Sequence, residues 1–346
     1  MRLSVLDLVP VRTDQTTSDA LAATVRLAQK ADQLGYTRFW LAEHHNMPAV
    51  AATSPPVLIG YLAAQTQQIR LGSGGVMLPN HAPLAVAEQF ALLEAAAPGR
   101  IDLGLGRAPG SDPVVSAVLQ GSGGSDVDKF PQYLDEIAAM MSAGGVRVEL
   151  PPHLGRPDYI LKATPSAAGE PRIWLLGSSM YSAHLAAAKG LPYVFAHHFS
   201  GHGTDEALDI YRSEFRPSDL ATAPVTFLTV NASVAPTRAE AEALLLPNLQ
   251  MMARLRTGQP LRALDLVEDA EALAPGRQEE AIIAAGQAKS IVGSPAEAAE
   301  QLHALAERFG VDEVMVNPVG SAHRGTDPAT APARETTLEL LAKELF

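Results

Sequence analysis

Two pairs of adjacent histidines are the side chains in this sequence best suited to chemistry, because an imidazole can give and take a proton near neutral pH. His44 and His45 follow Glu43, and His197 and His198 form the second pair. Together with Glu43, these imidazoles could instead bind zinc or iron in a metallohydrolase. Consecutive residues of a strand point to opposite faces, so the two members of a pair cannot reach one ion without a bend. We therefore disfavour a shared metal ion and expect one histidine of each pair to pack in the barrel rim and to hydrogen-bond the backbone.

Arg107 and a glycine-serine turn form a second candidate site, suited to an anion. Arg107 ends an apolar run that contains Gly104 and Gly106, where an arginine would lose hydration and need an anionic partner. Gly177-Ser178-Ser179 precedes a helical stretch, and the free N–H groups at a helix start also favour an anion. Together the two features predict a phosphate clamp. On its own, Arg107 is explained nearly as well by a salt bridge at the rim of a barrel.

Gly74 and Gly75 lie inside a run, Ile69–Met77, that otherwise has the composition of a buried strand. Glycines weaken a strand because they supply no side chain for packing. They are useful where a flat group must lie directly against the backbone, and a β-bulge is the structural alternative. A planar ring stacked on bare peptide would explain the pair.

The elements that must position these residues alternate between strand and helix. The eight runs predicted as strands are Leu3–Val9, Arg38–Ala42, Ile69–Met77, Ile101–Gly106, Ile173–Leu176, Tyr193–Ala196, Val225–Val234 and Glu313–Val316. This number and span are typical of a (β/α)8 TIM barrel of the α/β class, in which reactive groups lie at the C-terminal ends of the strands. A doubly wound sheet is disfavoured, because no Gly-x-Gly-x-x-Gly turn follows the first strand.

The chain is predicted to form a single domain over residues 1–346, since no Pro-, Gly- or Ser-rich linker divides it. Insertions are expected after strands 4 and 7, near 109–160 and 258–290. The first contains a loose hairpin at Val146–Leu161. The second is charged and rich in alanine, and we predict that it is a mobile lid over the mouth of the barrel.

Composition and charge exclude several classes of protein. The 346 residues include 26 basic and 38 acidic side chains, for a net charge of −12, which argues against nucleic-acid binding. No apolar run approaches the ~20 residues of a membrane-spanning helix, and the N-terminus is unlike a signal peptide. Hydrophobic residues make up 47% of the chain, enough for a core, and the absence of cysteine is consistent with a reducing cytoplasm.

Several segments together resemble the bacterial luciferase-like, flavin-dependent monooxygenase superfamily, in its non-luminescent, single-chain branch. The resemblance covers nearly the whole chain and rests on Glu43-His44-His45 and on the Gly-Arg-Ile-Asp-Leu-Gly-x-Gly-Arg stretch that ends at Arg107. Further matching segments are Leu71–Pro79, Ala87–Gln89 and Trp174–Ser179. Luciferase itself carries a reactive cysteine just before the arginine, where this chain has Gly106. Light emission is therefore not implied.

The resemblance implies a role for each residue of the candidate sites. His44 is implied as the catalytic acid–base group near the flavin, while the residues alone leave open which of His44 and His45 faces it. Gly74 and Gly75 match a cis peptide bond beneath the flavin ring. The other implied cofactor-binding residues are Val76 and Met77, which line the ring, and Arg107, Ser178, Ser179 and Tyr181, which hold the FMN phosphate.

The activity that the resemblance implies is that of a monooxygenase, which uses reduced FMN as cosubstrate and O2 to oxidise a small organic molecule. No second domain for NAD(P)H is visible, so a separate NAD(P)H:FMN reductase is the expected partner. Relatives commonly form homodimers, and we expect one here. Two alternatives keep the fold: an F420-dependent reductase that transfers hydride without oxygen chemistry, and a non-catalytic flavin-binding protein.

Overall fold

The computed structural model describes residues 1–108, 110–120, 127–151, 153, 159–164, 169–200 and 202–346. Twelve strands are present in these residues. In chain order they are β1 (Arg2–Asp7), β2 (Arg38–Leu41), β3 (Arg70–Ser73), β4 (Val76–Met77), β5 (Ile101–Gly106), β6 (Val146–Val148), β7 (Tyr159–Leu161), β8 (Arg172–Gly177), β9 (Tyr193–Phe195), β10 (Thr226–Val234), β11 (Ile291–Gly293) and β12 (Glu313–Pro318).

Eight of these strands close into a parallel barrel. Their order around the ring is β1-β2-β3-β5-β8-β9-β10-β12, and β12 pairs with β1 again, Val314 opposite Leu3. The (β/α)8 barrel predicted from the sequence is thereby confirmed. The predicted strand Ile69–Met77 is two strands, because Gly74 and Gly75 interrupt it between Ser73 and Val76.

Helices surround the ring and extend over one end of it. The α-helices of the described residues are α1 (Thr17–Leu34), α2 (Pro55–Ala63), α3 (Pro83–Ala96), α4 (Pro113–Gln120), α5 (Phe130–Met141), α6 (Met180–Lys189), α7 (His197–Ser200), α8 (Thr204–Glu214), α9 (Arg238–Thr257), α10 (Val267–Glu271), α11 (Arg277–Lys289), α12 (Pro295–Phe309) and α13 (Pro332–Leu345). None of them is long and apolar enough to cross a membrane.

The ends of these helices follow from local sequence. Thr16 caps α1 through the backbone N–H of Asp19, whose carboxylate accepts from the Thr16 N–H in return, and Gly35 ends the helix with φ +83°. At α12 the Glu297 carboxylate accepts from the Ser294 N–H and hydroxyl, while the Ser294 hydroxyl caps no backbone N–H. At α9 Thr237 accepts from the Glu240 N–H without a bond in return.

Apolar side chains form two layers on either side of the barrel wall. The larger cluster fills the space between strands and helices and includes Leu3, Phe39, Leu71 and Leu103. A smaller cluster fills the interior of the barrel. Its buried members are Leu6, Trp40, Ala42, Trp174, Val194, Phe227 and Met315. The rings of Trp40, Trp174 and Phe227 meet edge to face there, with centroids 5.0–5.5 Å apart.

The end of the barrel where the strands begin, here called the floor, holds a buried ion network. Arg38, with 4% of its side chain exposed, donates to Glu313 at 2.7 Å and to Asp102 at 2.8 Å. Asp102 also accepts from the indole N–H of Trp40 at 3.0 Å and from Arg70 at 2.7 Å. The network joins four strands, because Arg38 begins β2, Arg70 begins β3, Asp102 lies in β5 and Glu313 begins β12. The opposite end of the barrel is the mouth.

Both predicted insertions are present, after β5 and after β10. In the first, β6 and β7 pair antiparallel as the predicted hairpin, while residues 109, 121–126, 152 and 154–158 of the predicted excursion lie outside the described residues. The second insertion is longer than the predicted 258–290. The helix that returns the chain to the barrel is α12, so the insertion also includes α9 and β11. Within it α9 packs on α10 and α11, and β11 pairs with the last residues of β10. Leu264 exchanges backbone hydrogen bonds with Val11 and Thr13, which ties this insertion to the loop after β1.

Candidate active site

His44 lies at the mouth, three residues beyond the end of β2. Ala42, two residues before it, belongs to the interior cluster, and the His44 ring is close enough to His198 for the two to interact electrostatically. Its Nδ1 is 3.2 Å from the carbonyl oxygen of Gly110. A carbonyl only accepts, so Nδ1 carries the hydrogen and Nε2 the lone pair. The ring is thereby prepared to accept a proton at Nε2.

His198 brings a second imidazole to the mouth. Its Nδ1 is 2.6 Å from Oγ1 of Thr229 on β10. Burial, together with the proximity of His44 and His197, lowers its pKa to about 4. Burial also lowers the pKa of His44, against the opposing effects of the Gly110 carbonyl and the Glu43 charge. Both rings are therefore neutral at pH 7.

The other member of each pair has a different partner. His45 contacts Glu43. His197 is 2.8 Å from Oγ1 of Thr204, and its ring meets the phenyl ring of Phe309 on α12. Of the four paired histidines, only His44 hydrogen-bonds a backbone group in the described residues. The expectation that one member of each pair bonds the backbone is therefore wrong for His197 and His198. The reason is local: threonine hydroxyls lie within reach of His197 and His198, and they take the place of carbonyls.

Glu43 is a buried carboxylate at the centre of the mouth wall. Its Oε1 accepts from Nε2 of His45 at 2.9 Å and from Nε2 of His81 at 2.8 Å, and its Oε2 accepts from the Met77 N–H at 2.9 Å. Burial raises the pKa of Glu43, but the hydrogen bonds from His81, His45 and Met77 outweigh it and hold the pKa below its ordinary value. Glu43 therefore stays ionised and joins β2 to β4.

The sequence offered no signal for His81, which follows a Pro-Asn turn and lies in none of the predicted elements. Glu43 was considered only as a metal ligand. In the structure both imidazoles that reach Glu43 use their Nε2 atoms to bond it, and the described residues hold no group of three or more His, Asp or Glu side chains arranged for an ion. Glu43 instead orders the backbone beside the glycine pair.

The peptide bond between Gly74 and Gly75 is cis, as the resemblance implied. Both residues lie tightly against neighbouring strands. A Cβ on Gly74 would be 2.7 Å from the Leu6 side chain, and a Cβ on Gly75 would be 2.5 Å from Leu176 and 2.8 Å from the Gly104 carbonyl. Close approach to backbone therefore requires glycine at Gly75, whereas a side chain at Gly74 would displace the Leu6 side chain.

Val76 and Met77 follow the glycine pair and point to opposite sides of the wall. Val76 pairs with Leu105, and its side chain is buried in the cluster between strands and helices. Met77 pairs with Gly106 and is only half-buried, and its side chain lies beside Gly110. Only Met77 can present its side chain to the mouth, so Val76 can contribute only backbone.

Arg107 and the start of α6 converge at the mouth. The guanidinium carbon of Arg107 lies 4.1 Å from the centroid of the Tyr181 ring, a stacking distance. The prediction that Arg107 loses its hydration is wrong, because its side chain is exposed one residue beyond the end of β5. Among the described residues it forms no ion pair with a carboxylate, so the rim salt bridge considered as an alternative is absent from that part of the chain.

The first turn of α6 carries no side-chain cap. Ser179 is the N-cap residue in extended conformation, and neither its hydroxyl nor another side chain caps the helix. Ser178 and Ser179 are both exposed. Gly177 permits the tight turn into the helix, because a Cβ there would lie 2.2 Å from the Ser182 hydroxyl oxygen. The helix start therefore presents free N–H groups beside Arg107.

These residues fit a cofactor that carries a phosphate group. An exposed guanidinium, an uncapped helix N-terminus and two serine hydroxyls supply donors and positive charge on one side of the mouth. The cis glycine pair adjoins them, since Gly75 contacts Leu176 and Leu176 pairs with Gly106. The donor set does not by itself distinguish between cofactors that carry a phosphate group.

The chain belongs to the luciferase-like monooxygenase family, whose profile matches residues 1–313. A luciferase-like monooxygenase of Escherichia coli (strain K12) is 39% identical over 91% of this chain and 90% of its own length. The N-acetyl-S-alkylcysteine monooxygenase of Bacillus subtilis (strain 168) is 35% identical over 93% of this chain and 94% of its own. The crystal structure of apo-MsnO8 is 34% identical, with a TM-score of 0.85 over 99% of this chain and 98% of that one.

Two solved structures of lower identity share the fold. The oxygenating constituent of 3,6-diketocamphane monooxygenase from Pseudomonas putida, in complex with FMN, is 19% identical with a TM-score of 0.70, over 99% of this chain and 98% of that one. An F420-dependent secondary alcohol dehydrogenase, in complex with an F420–acetone adduct, is 14% identical with a TM-score of 0.64, over 98% of both chains. The same barrel thus serves both cofactors.

Proposed function

We propose that this protein is a flavin-dependent monooxygenase that uses reduced FMN and O2 to oxidise a small organic substrate. The observation that carries the proposal is the convergence of Arg107, Tyr181 and the uncapped start of α6 on one side of the mouth. A phosphate group matches that set of donors in charge and in hydrogen bonding. The two relatives named as monooxygenases support O2 as the oxidant.

In this proposal the clamp holds the FMN phosphate and the cis peptide lies beneath the flavin ring. Arg107, Ser178, Ser179 and Tyr181 bind the phosphate, while Met77 borders the ring. When bound and reduced, FMN supplies the electrons that activate O2. The protein contributes orientation and the exclusion of water, and the insertion around 258–290 is the segment proposed to close the mouth.

His44 is the proposed acid–base residue. Its neutral ring donates from Nδ1 to the Gly110 carbonyl, which leaves Nε2 to accept and return a proton. The lowered pKa keeps that lone pair available at neutral pH. Glu43, with His45 and His81, is the proposed support that fixes the backbone at Met77.

Stopped-flow mixing with reduced FMN and aerated buffer tests the proposal. We expect reoxidation of the flavin to occur at a rate different from that of free FMN, and we expect His44→Asn to change that rate while the FMN affinity stays within about threefold. The matched control is His303→Gln, which removes an exposed histidine on α12. Reoxidation at the free-solution rate, unaffected by any substrate tried, would contradict the proposal.

Parallel titrations with FMN and F420 separate the proposed cofactor from the alternative, because the same clamp meets a phosphate in both. Tighter binding of F420, with reduction of a substrate in the absence of O2, would assign the chain to the reductase class instead. Tight flavin binding with no turnover, unaffected by His44→Asn, would indicate a flavin-binding protein.

The proposal includes two partners. A separate NAD(P)H:FMN reductase delivers the reduced flavin, and a second copy of the chain forms a homodimer through barrel helices. Sedimentation equilibrium tests the homodimer, and a coupled assay in which NADH is consumed only when a reductase is added tests the first partner.

A further inference from the structure

Two asparagines lie side by side on the interior wall of the barrel, on the mouth side of the aromatic rings. Asn231 on β10 is paired in register with Asn317 on β12, and Nδ2 of Asn317 donates to Oδ1 of Asn231 at 2.9 Å. Phe227 on β10 belongs to the interior cluster, whereas Leu228 and Val230 pack outside the wall. Alternation along the strand therefore turns Asn231 toward the interior.

Asn317 faces the interior for the same reason. Met315, two residues before it on β12, belongs to the interior cluster, and Val314 and Val316 pack outside the wall. Asn317 is 7% exposed and Asn231 is half-buried, so the pair lies just below the open mouth. A molecule that enters the mouth can therefore reach both side chains.

The asparagine pair faces the glycine pair across the mouth. β10 lies four strands from β3 in either direction around the ring, and Gly74 and Gly75 directly follow β3. The inference rests here on the proposed function, in which the flavin ring lies on the glycine pair. A substrate that meets the free face of that ring would then lie between the ring and β10.

Each asparagine keeps free hydrogen-bonding groups. A side-chain amide has two N–H donors and an oxygen with two lone pairs, and the bond between the two side chains uses one donor and one acceptor. Among the described residues neither side chain has a further partner. No polar atom of either is both buried and unpartnered, so the free groups reach solvent. The pair therefore offers a ligand both donors and acceptors.

This part of the wall carries no charge. The interior positions of β10 and β12 on the mouth side of the rings hold neutral side chains, namely Thr229, Asn231, Ser233 and Asn317. His198, which contacts Thr229 through Nδ1, is neutral at pH 7 as well. The cationic clamp lies elsewhere, at the ends of β5 and β8. A carboxylate bound at the asparagine pair would lose its hydration without gaining a cation, so the wall suits an uncharged ligand.

We propose that the asparagine pair binds a carboxamide group of the substrate. A free N–H of the pair donates to the carbonyl oxygen of that group, and a free oxygen of the pair accepts from its N–H. A ketone or an ester can form only the first of these hydrogen bonds, and a carboxylate brings an uncompensated charge. The substrate is therefore a small uncharged amide, and Asn231 and Asn317 determine the specificity for it.

Ligand-observed NMR titrations at pH 7 with three probes of the same shape test the site. Hexanamide carries the amide, heptan-2-one has a methyl group in place of the NH2, and hexanoate has a charged oxygen there. The protein is first saturated with oxidised FMN, and flavin fluorescence records that binding separately. We expect hexanoate to bind about tenfold more weakly than hexanamide, or more weakly still, because its charge is not compensated. Failure to bind FMN would contradict the proposed function, whereas normal FMN binding without a preference for hexanamide over hexanoate would overturn this inference alone.

The double variant Asn231→Leu with Asn317→Leu keeps the size of both side chains and leaves neither partner unpaired. We expect its affinity for hexanamide to fall about 5–50-fold, because two hydrogen bonds are lost, and its affinity for heptan-2-one to fall by a smaller factor. Ser233→Ala is the control on the same strand, since that hydroxyl donates to the Ala241 carbonyl, and all affinities should stay unchanged. Equal changes for hexanamide and heptan-2-one in the double variant, or no detectable binding of hexanamide to the unmodified protein, would overturn the proposal. The comparison of hexanamide with hexanoate in the unmodified protein does not depend on whether the double variant folds.

Discussion

The two ends of the barrel differ in how their charged side chains are satisfied. At the floor, Arg38 lies between Asp102 and Glu313, and each of the three is almost fully buried. At the mouth, Arg107 stacks on a tyrosine and, within the described residues, meets no carboxylate. We therefore expect the paired charges at the floor to serve structure and the unpaired charge of Arg107 to serve the proposed ligand. Each prediction below either breaks this difference or measures it.

The largest effect is expected from Asp102→Asn at the floor. The substitution removes a buried negative charge that accepts from Arg38, Trp40 and Arg70, and it leaves Arg38 incompletely compensated. We expect a loss of about 3–5 kcal/mol in the free energy of unfolding, measured by urea denaturation. Asp312→Asn is the control, because its carboxylate is 80% exposed and pairs with an exposed arginine. A loss below about 1 kcal/mol for Asp102→Asn would show that the network is not structural.

The next effect concerns pH at the mouth. His198 stays neutral in the folded state until the pH falls to its pKa of about 4, whereas in the unfolded chain it takes up a proton near the ordinary histidine pKa of 6.5. Between these values the unfolded state holds more protons, so stability falls as the pH decreases from about 6.5 to 4. We expect His198→Gln to remove up to about 3 kcal/mol of that loss, measured from urea midpoints across the range. His303→Gln should leave the pH dependence unchanged, and an equal slope in both variants would contradict the prediction.

Arg107→Gln is expected to separate binding from stability. FMN affinity should fall about 10–100-fold, because one charge-assisted contact to phosphate is lost. The free energy of unfolding should change by less than about 0.5 kcal/mol, since the side chain is exposed and no carboxylate depends on it. Flavin fluorescence titration and urea denaturation measure the two quantities. A marked loss in the free energy of unfolding with unchanged FMN affinity would show that Arg107 serves structure and not ligand binding.

The smallest effect is expected from Arg70→Gln, which sharpens the comparison within the floor. Arg70 donates to the same carboxylate as Arg38, but 30% of its side chain is exposed. Water can replace part of its contact, so we expect a loss of about 1 kcal/mol, against a larger loss for Arg38→Gln. Equal losses for the two variants in urea denaturation would show that burial does not set the cost here.

The ring of strands and the clamp could be predicted from sequence because each depends on local signals. Alternating apolar runs fix the strands, and a glycine-serine turn before a helix fixes the uncapped start of α6. The strand pattern also places Arg107 at the end of β5. Its exposure was not predictable, because it depends on where β5 stops relative to its neighbours.

Features that depend on distant pairing were not predictable. The hydrogen bond between Arg38 and Glu313 joins residues 275 positions apart in the chain. No local sequence pattern around either residue indicates that the two meet. His81 reaches Glu43 only because the chain turns at Leu78–Asn80. The short strand β11 has too few residues to stand out from the helices around it. The roles of the mouth residues in binding FMN stay predictions.

The aromatic layer inside the barrel has a practical consequence. The chain contains two tryptophans, and both Trp40 and Trp174 lie in that layer, with ring centroids 5.5 Å apart. All indole emission of the protein therefore originates between its two ends. A flavin seated above would quench that emission by energy transfer. The unmodified protein thus carries its own optical reporter for the proposed cofactor.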